Sequence, residues 1–426
     1  MSFQDFQKKR NRLTPREFGL LMLAGIILIL AFYGLGVGNY YLANFLPEGG
    51  EFYLLRIGGR SFLIDQIEPY SGSVPARVQE QVYGGPAVSG EDQYILDIPF
   101  HLLMILFPLA LFPDPLMARA FWMALSEIAL AGFIYIGFRL LDRRIPVLFV
   151  VLLFIAAFTS FYAYRSLLEG SLAFLLGLAY VGILMSLRSD NDELAGALVV
   201  LSAFQWESGG PFLLFIIFWV FWEKRWRVLA GGGMLAFILM AISFFIYPSW
   251  LWPFLRASWA NIQLGFGFSL HEILSQFRPQ YGSMLGWILT AILIFTIGFE
   301  WRAARGNPNR FIWVACLTLT ITPLLGHNVE MDQLVLLTFP VMLIVLISRE
   351  RWQKIGSVVA LLLLLFYFGV PWLLFTQGAP QRIGLQDDEV LFLFWPVFAV
   401  LGLYWIRWWM IRPPRTWLDR ATEQLR

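Results

Sequence analysis

Carboxylates crowd one stretch of this sequence. Between Asn44 and Asp97 stand Glu48, Glu51, Asp65, Glu68, Glu80, Glu91, Asp92 and Asp97, in a chain only 14% charged. A positioned carboxylate is the ordinary tool for taking a proton from a hydroxyl. Glu51 follows Glu48-Gly49-Gly50 and carries two readings: an acidic residue favoured in a helical first turn, or a general base at a membrane surface. Asp65 is the alternative base, and Asp97 belongs to the same acidic stretch.

Further polar groups sit between apolar runs. Glu169 closes Tyr164-Arg165-Ser166-Leu167-Leu168-Glu169, and Glu207 follows Gln205-Trp206. Ionisable groups near membrane depth usually face a polar cavity; a local pair of Arg165 with Glu169 is the plainer account. His327, Asn328, Glu330, Asp332 and Gln333 crowd one turn. Asn328 or Asp332 would serve as a helix cap, but capping needs neither the histidine nor a second carboxylate, which favours a functional cluster. His101 and His271 stand alone. No cluster has metal-site spacing, and no nucleotide, dinucleotide or serine-nucleophile motif occurs.

The elements that must position these groups are membrane helices. Apolar residues make up 58% of the 426 residues, well above the roughly 45–50% of globular domains. Apolar runs near the ~20 residues of a bilayer crossing fall at 17–41, 116–141, 145–165, 171–187, 193–206, 209–222, 228–247, 283–301, 311–326, 332–348, 355–376 and 389–410. This predicts an all-α polytopic membrane protein with about 12 spans, a single domain over 1–426. The 18 Trp suit an interfacial belt. With the leader 1–16 and the tail 411–426 in the cytoplasm, most of the 31 Lys and Arg fall on that side, as the positive-inside rule requires. The first run has no cleavage pattern after it and reads as an uncleaved helix. Residues 42–115 then form one large extracytoplasmic loop. The apolar 99–112, too short to cross, is an interfacial helix within it. A second outer loop, 247–282, carries Trp250, Trp252, Trp259, Phe254, Phe266 and Phe268 and reads as an amphipathic stretch over lipid. The short runs 193–206 and 209–222 read as a paired hairpin with Glu207 at its tip, and Gly231-Gly232-Gly233 as a packing or flexible segment. Cys316 has no partner for an intrachain disulfide. The net charge of +2 gives no sign of a nucleic-acid partner.

This pattern resembles the GT-C superfamily of membrane glycosyltransferases, and within it the polyprenol-phosphate-mannose-dependent α-mannosyltransferase family. The resemblance runs through Glu51-Phe52-Tyr53 after the first helix, Glu68-Pro69-Tyr70, then Tyr94 and Pro99 opening a juxtamembrane helix. It continues in Glu169-Gly170-Ser171, Gln205-Trp206-Glu207, Lys224-Arg225-Trp226-Arg227 and Thr322-Pro323 with His327. The departures are Glu51 for an aspartate, Pro99 for a double proline, no lysine at the tip, and one histidine where the family has two.

The resemblance implies an enzyme that moves mannose or another hexose from a polyprenyl phosphate to a lipid, glycan or protein acceptor at the extracytoplasmic face of the cell membrane. Glu51 would be the base. His327 would contact the donor phosphate, with Arg165, Arg256 and Arg278 as helpers, and displacement would invert the anomeric carbon. Tyr70, Tyr94, Asp97, Glu169, Glu207, Asn328, Glu330 and Asp332 would line the cavity. Its partners would be membrane lipids and the lipid-linked sugar, with no cofactor and no metal. Two other functions suit parts of the pattern: a lipid or solute transporter, and a non-catalytic GT-C-like subunit of an envelope complex.

Overall fold

The computed structural model describes residues 15–46, 49–88, 90–143, 145–203, 205–264, 267–352, 355–377 and 387–411. Glu48, Phe266 and the side chain of Glu207 lie outside the described residues, as do most of the leader and tail. The described chain is helical, with no strand and one isolated β-bridge, Phe268 to Val329.

A long first helix, α1 (Pro15–Phe45), leads into three short ones, α2 (Gly50–Leu63), α3 (Ser73–Tyr83) and α4 (Phe100–Ala110). At 1.5 Å per residue, the 11 residues of α4 reach about 16 Å, half the ~30 Å hydrocarbon thickness. Instead α4 packs on α2. Phe52, Leu55, Leu103 and Leu106 there share a core with Trp122 and Leu172 of the main body.

The body continues with α5 (Pro115–Leu141), α6 (Val147–Phe158), α7 (Phe161–Glu169), α8 (Ala173–Arg188), α9 (Asp192–Leu201), α10 (Trp206–Trp222) and α11 (Trp226–Ile246). After the surface helices α12 (Leu251–Leu264) and α13 (Leu270–Phe277) come α14 (Gly282–Ala303) and α15 (Pro308–Leu325). A 3-10 turn, Met331–Leu337, runs into α16 (Thr338–Arg351). Then α17 (Gly356–Leu364) passes through one π-helical turn into α18 (Val370–Gln377), and α19 (Asp387–Ile411) follows.

Six of these helical stretches are long and apolar enough to cross a membrane, and α6 with α7, bent by 50°, would make a seventh. Of the remaining expected crossings, 171–187 and 209–222 coincide with the shorter apolar helices α8 and α10. The bend has a local cause: Ser160 leaves the helical path and its Oγ accepts from the Ala163 N–H, capping α7. An apolar window within Met331–Arg351 is wholly buried, as expected of a helix segment that is apolar all round. By contrast α11 and α14 are only 17% buried; their outward Phe237, Phe245, Phe295 and Phe299 form surfaces suited to acyl chains.

The expected 193–206/209–222 hairpin is not packed as a pair. Helix α9 lies against α8 and α11, and α10 against α15. Glycines cause this: a Cβ on Gly196 would strike the Val228 carbonyl, and one on Gly231 the backbone of Glu193. That close approach draws α9 onto α11 and accounts for Gly231-Gly232-Gly233 as a packing surface.

Candidate active site

A cavity of about 600 Å³ opens between the α2–α3 unit, the loop before α4, the C-terminal end of α7 and the turn before α16. Glu51 stands in its wall. The residue occupies the first turn of α2, yet its carboxylate serves another helix. Oε1 accepts from the Leu172 N–H at 3.3 Å, at the N-terminus of α8, where the helix dipole favours an anion. The same oxygen accepts from Gln205 Nε2 at 2.8 Å. Oε2 is buried without a well-formed hydrogen bond among the described residues, with the Ser171 hydroxyl nearby.

Two close approaches hold this wall. Gly170 ends α7 at φ +74°, and any Cβ there would run into Phe52. A Cβ on Gly50 would occupy the Tyr94 ring, so the loop before α4 lies directly on the start of α2. Behind them Arg119, fully buried, donates to the carbonyls of Ala43 (3.3 Å), Leu46 (2.6 Å) and Leu168 (2.8 Å). It joins the ends of α1 and α7. Trp122 Nε1 adds a 2.7 Å bond to the Gly170 carbonyl.

The facing wall comes from the turn after α15. Asn328 adopts φ +56° and gives its Nδ2 to the Asn261 carbonyl at 3.0 Å. Val329 pairs with Phe268 through two backbone bonds of 2.8 and 3.1 Å. Neither Asn328 nor Asp332 caps the helical turn that follows. Instead Glu330 and Asp332 line the cavity, and an oxygen from each lies within 4.8 Å of one from Glu51. The pairing of Arg165 with Glu169 is present at 3.4 Å, and both residues still line the cavity.

The charge balance is lopsided. Eight carboxylates line the cavity, with Arg165 as the one positively charged side chain among the described lining residues. Burial, then the charge of Asp332, holds the Glu51 carboxyl well above the usual carboxylate range. Glu330 is raised in the same way, by burial and then by Asp332, Asp92 and Glu51. Burial also lifts Asp92, although the Tyr94 N–H donates to it at 2.9 Å.

Residues 99–324 match glycosyltransferase family 87, more than half of the chain. The chain belongs to that family. It is a membrane glycosyltransferase. No curated protein sequence matches it. The matched segment runs from the start of α4 to the end of α15, so Glu51 and Glu330 flank it on either side.

Of the residues expected at the site, the glycosyltransferase fold brings Glu51, Tyr94, Asp97, Arg165, Glu169, Asn328, Glu330 and Asp332 to one cavity. Others stand outside its lining. Asp65 is tied to Arg77 at 2.5 Å beyond the end of α2. Tyr70, expected in the wall, donates to the Ile98 carbonyl at 2.8 Å and packs edge-on against Phe254. His327 is exposed, shares a 3.2 Å bond with the Ile262 carbonyl and stacks on His271. Arg256 lies over Trp252 and Arg278 over Phe277, both away from the lining. Within 247–282 Trp252 and Trp259 are exposed, but Trp250 is buried, packed against His101 and Phe254.

Asp92, Gln205, Asn261 and Asp388 also line the cavity, although none of them was expected there as a site residue. Asn261 donates to Asp97 at 2.9 Å. Asp92 carries a signal only as one of many acidic loop residues. Gln205 carries one only as part of the tip that resembles the mannosyltransferase family.

Proposed function

We propose that this family 87 glycosyltransferase moves a hexose, mannose in the first instance, from a polyprenyl phosphate to an acceptor hydroxyl on the extracytoplasmic side of the cell membrane. The observation that carries the reading is Glu51. It is a carboxylate in a cavity wall, fixed on one oxygen by Gln205 and Leu172, with a second oxygen left without a well-formed bond.

In this reading the acceptor oxygen attacks the anomeric carbon and its proton passes to Glu51. The bond from that carbon to the phosphate oxygen breaks, the electron pair leaves with the phosphate, and the configuration inverts. A base of raised proton affinity suits this step near neutral pH. Arg165, in the same cavity lining, meets the phosphate with a planar guanidinium. His327 stands one residue from the lining residue Asn328 and contacts the headgroup as it arrives from the bilayer. The apolar Phe161, Phe268, Met331 and Phe375 in the same lining suit the first isoprene units.

The test is Glu51→Gln in purified protein supplied with polyprenyl-phosphate mannose and glycolipid acceptors. Loss of at least about 100-fold in turnover is expected, within the range for a removed general base, with donor binding retained. A variant that turns over like the parent removes Glu51 from the role.

A further inference from the structure

The chain has only three histidines, and two of them meet. His271 stands in the first turn of α13 and His327 in the turn after α15, remote from each other in sequence. Their imidazole rings stack at 5.9 Å with 23° between their planes. The Glu272 carboxylate joins them: one ligand atom from each of the three side chains lies within 4.8 Å of the other two. Two imidazoles and a carboxylate are a donor set for a borderline transition-metal ion, zinc first among them. None of the three lines the cavity that holds Glu51.

Helix capping does not account for the carboxylate. Ser269 and Glu272 have the spacing of a capping box, yet the Ser269 side chain caps no backbone N–H. Its hydroxyl donates instead to Glu272 Oε2 at 2.5 Å. His327 is oriented as a ligand. Its Nε2 stands 3.2 Å from the Ile262 carbonyl; a carbonyl only accepts, so Nε2 carries the proton and the lone pair falls to Nδ1. Metal-bound histidines almost always give their second ring nitrogen to such an acceptor, which fixes the tautomer. His271 is held on the other side, its ring stacked on Trp287 at 4.8 Å.

The backbones that carry these side chains are fixed without an ion. A Cβ on Gly267 would strike the Asn328 backbone, and one on Gly286 the backbone of His271. Phe268 and Val329 exchange two main-chain bonds between the same segments. Ligand atoms about 2.0–2.1 Å from one zinc stand about 3.4 Å apart at a tetrahedral angle, so the three side chains close on an ion by adjustments of about 1 Å.

We propose that His271, Glu272 and His327 hold one divalent ion of the zinc class, which clips the surface helices α12 and α13 to the turn that carries Glu330. Three protein ligands leave a fourth position for water. The ion braces the cavity from outside its lining and touches neither the donor phosphate nor the acceptor, so the site is independent of the sugar and carrier assigned above. With both nitrogens of His327 engaged, an arriving headgroup meets only the edge of its ring, and Arg165 remains the positive group for the phosphate.

The experiment is a zinc titration of detergent-purified, chelator-stripped protein carrying no polyhistidine tag. Binding is read by competition with a chromophoric chelator and by metal analysis after desalting. One zinc per chain is expected, with cobalt(II) competing for the same site. His271→Ala, His327→Ala and Glu272→Gln should each weaken it at least about tenfold, no less than the loss of an outer-shell partner. His101→Gln, which removes the remaining histidine, should leave it unchanged. Zinc should also raise the thermal unfolding midpoint of the parent, because it binds the folded state, and leave that of His327→Ala where it was. Wild-type protein that binds no zinc overturns the site. Equal binding by the His271→Ala/His327→Ala double variant overturns it as well, since the ion would then sit on carboxylates elsewhere. If His271→Ala does not fold, the exposed His327→Ala and the wild-type titration still decide.

Discussion

Gln205 and Glu51, 154 positions apart in sequence, meet through a 2.8 Å bond from Nε2 to Oε1. The bond joins the tip before α10 to the first turn of α2, and so sets the direction in which the remaining carboxylate oxygen points. Gln205 is a positioning residue on this account.

Gln205→Ala should lower turnover about tenfold, the loss of one charge-assisted hydrogen bond of about 1.5 kcal/mol, with little change in the Michaelis constant. It should also move the acidic limb of the pH–rate profile upward, because a donor to the carboxylate has been lost. A merely structural defect would reduce active protein without moving that limb. An unmoved limb would therefore reject the positioning role.

The pH dependence of rate and of stability should run in opposite directions. Glu51 must be ionised to take a proton, and its proton affinity is raised by burial and by Asp332. Turnover should therefore fall, as pH is lowered, well above the ordinary glutamate value of about 4.3. For folding, a carboxyl with a raised folded-state value stabilises below its unfolded value, and that contribution is lost as pH rises through the folded one. Glu51, Glu330 and Asp92 are all of this kind. The unfolding midpoint should be higher at pH 5 than at pH 8. Asp332→Asn should flatten the difference. An equal slope in parent and variant would show that the cluster does not govern stability.

Arg119 should matter for folding more than for chemistry. Its guanidinium serves three carbonyls from two helix ends, and Arg119→Met strands them in a buried place. The expected loss is about 3 kcal/mol or more. Thermal unfolding followed by tryptophan fluorescence would register it. A methionine variant as stable as the parent would deny the residue this role.

Gly50→Ala should disturb the site without unfolding the bundle. Its methyl group enters the space of the Tyr94 ring and pushes the loop carrying Asp92 and Asp97 away from α2. Turnover should drop about tenfold or more, since small misplacements at a reacting centre carry large penalties. Combining it with Tyr94→Ala removes the collision. A double variant no better than the worse single change would place the damage elsewhere.

The helices were legible in sequence because hydropathy alone marks them. The expected run 116–141 became Pro115–Leu141, and 389–410 became Asp387–Ile411. The 99–112 segment was recognised as too short to cross by its length. Glu51, Arg165, Glu169, Glu330 and Asp332 were legible as polar groups in apolar surroundings. Their mutual approach was not, because it depends on close packing across long separations, as between Gly50 and Tyr94. His327 shows the limit most directly. It shares a turn with Glu330, but the left-handed Asn328 between them reverses the chain, leaving His327 outside and Glu330 within. The hairpin expectation failed for a related reason: chain neighbours α9 and α10 found better surfaces elsewhere, and glycine spacing on α9 and α11 decided the matter.

The rung between Phe268 and Val329 fastens the loop from α12 to α13, two helices on the molecule's surface, to the strand of chain that bears Glu330. Because both of its hydrogen bonds run through main-chain atoms, only proline, which lacks the N–H, would delete one of them outright. The position of those surface helices is thereby tied to that of the chain carrying Glu330, so the outer layer and the acidic lining share one backbone anchor.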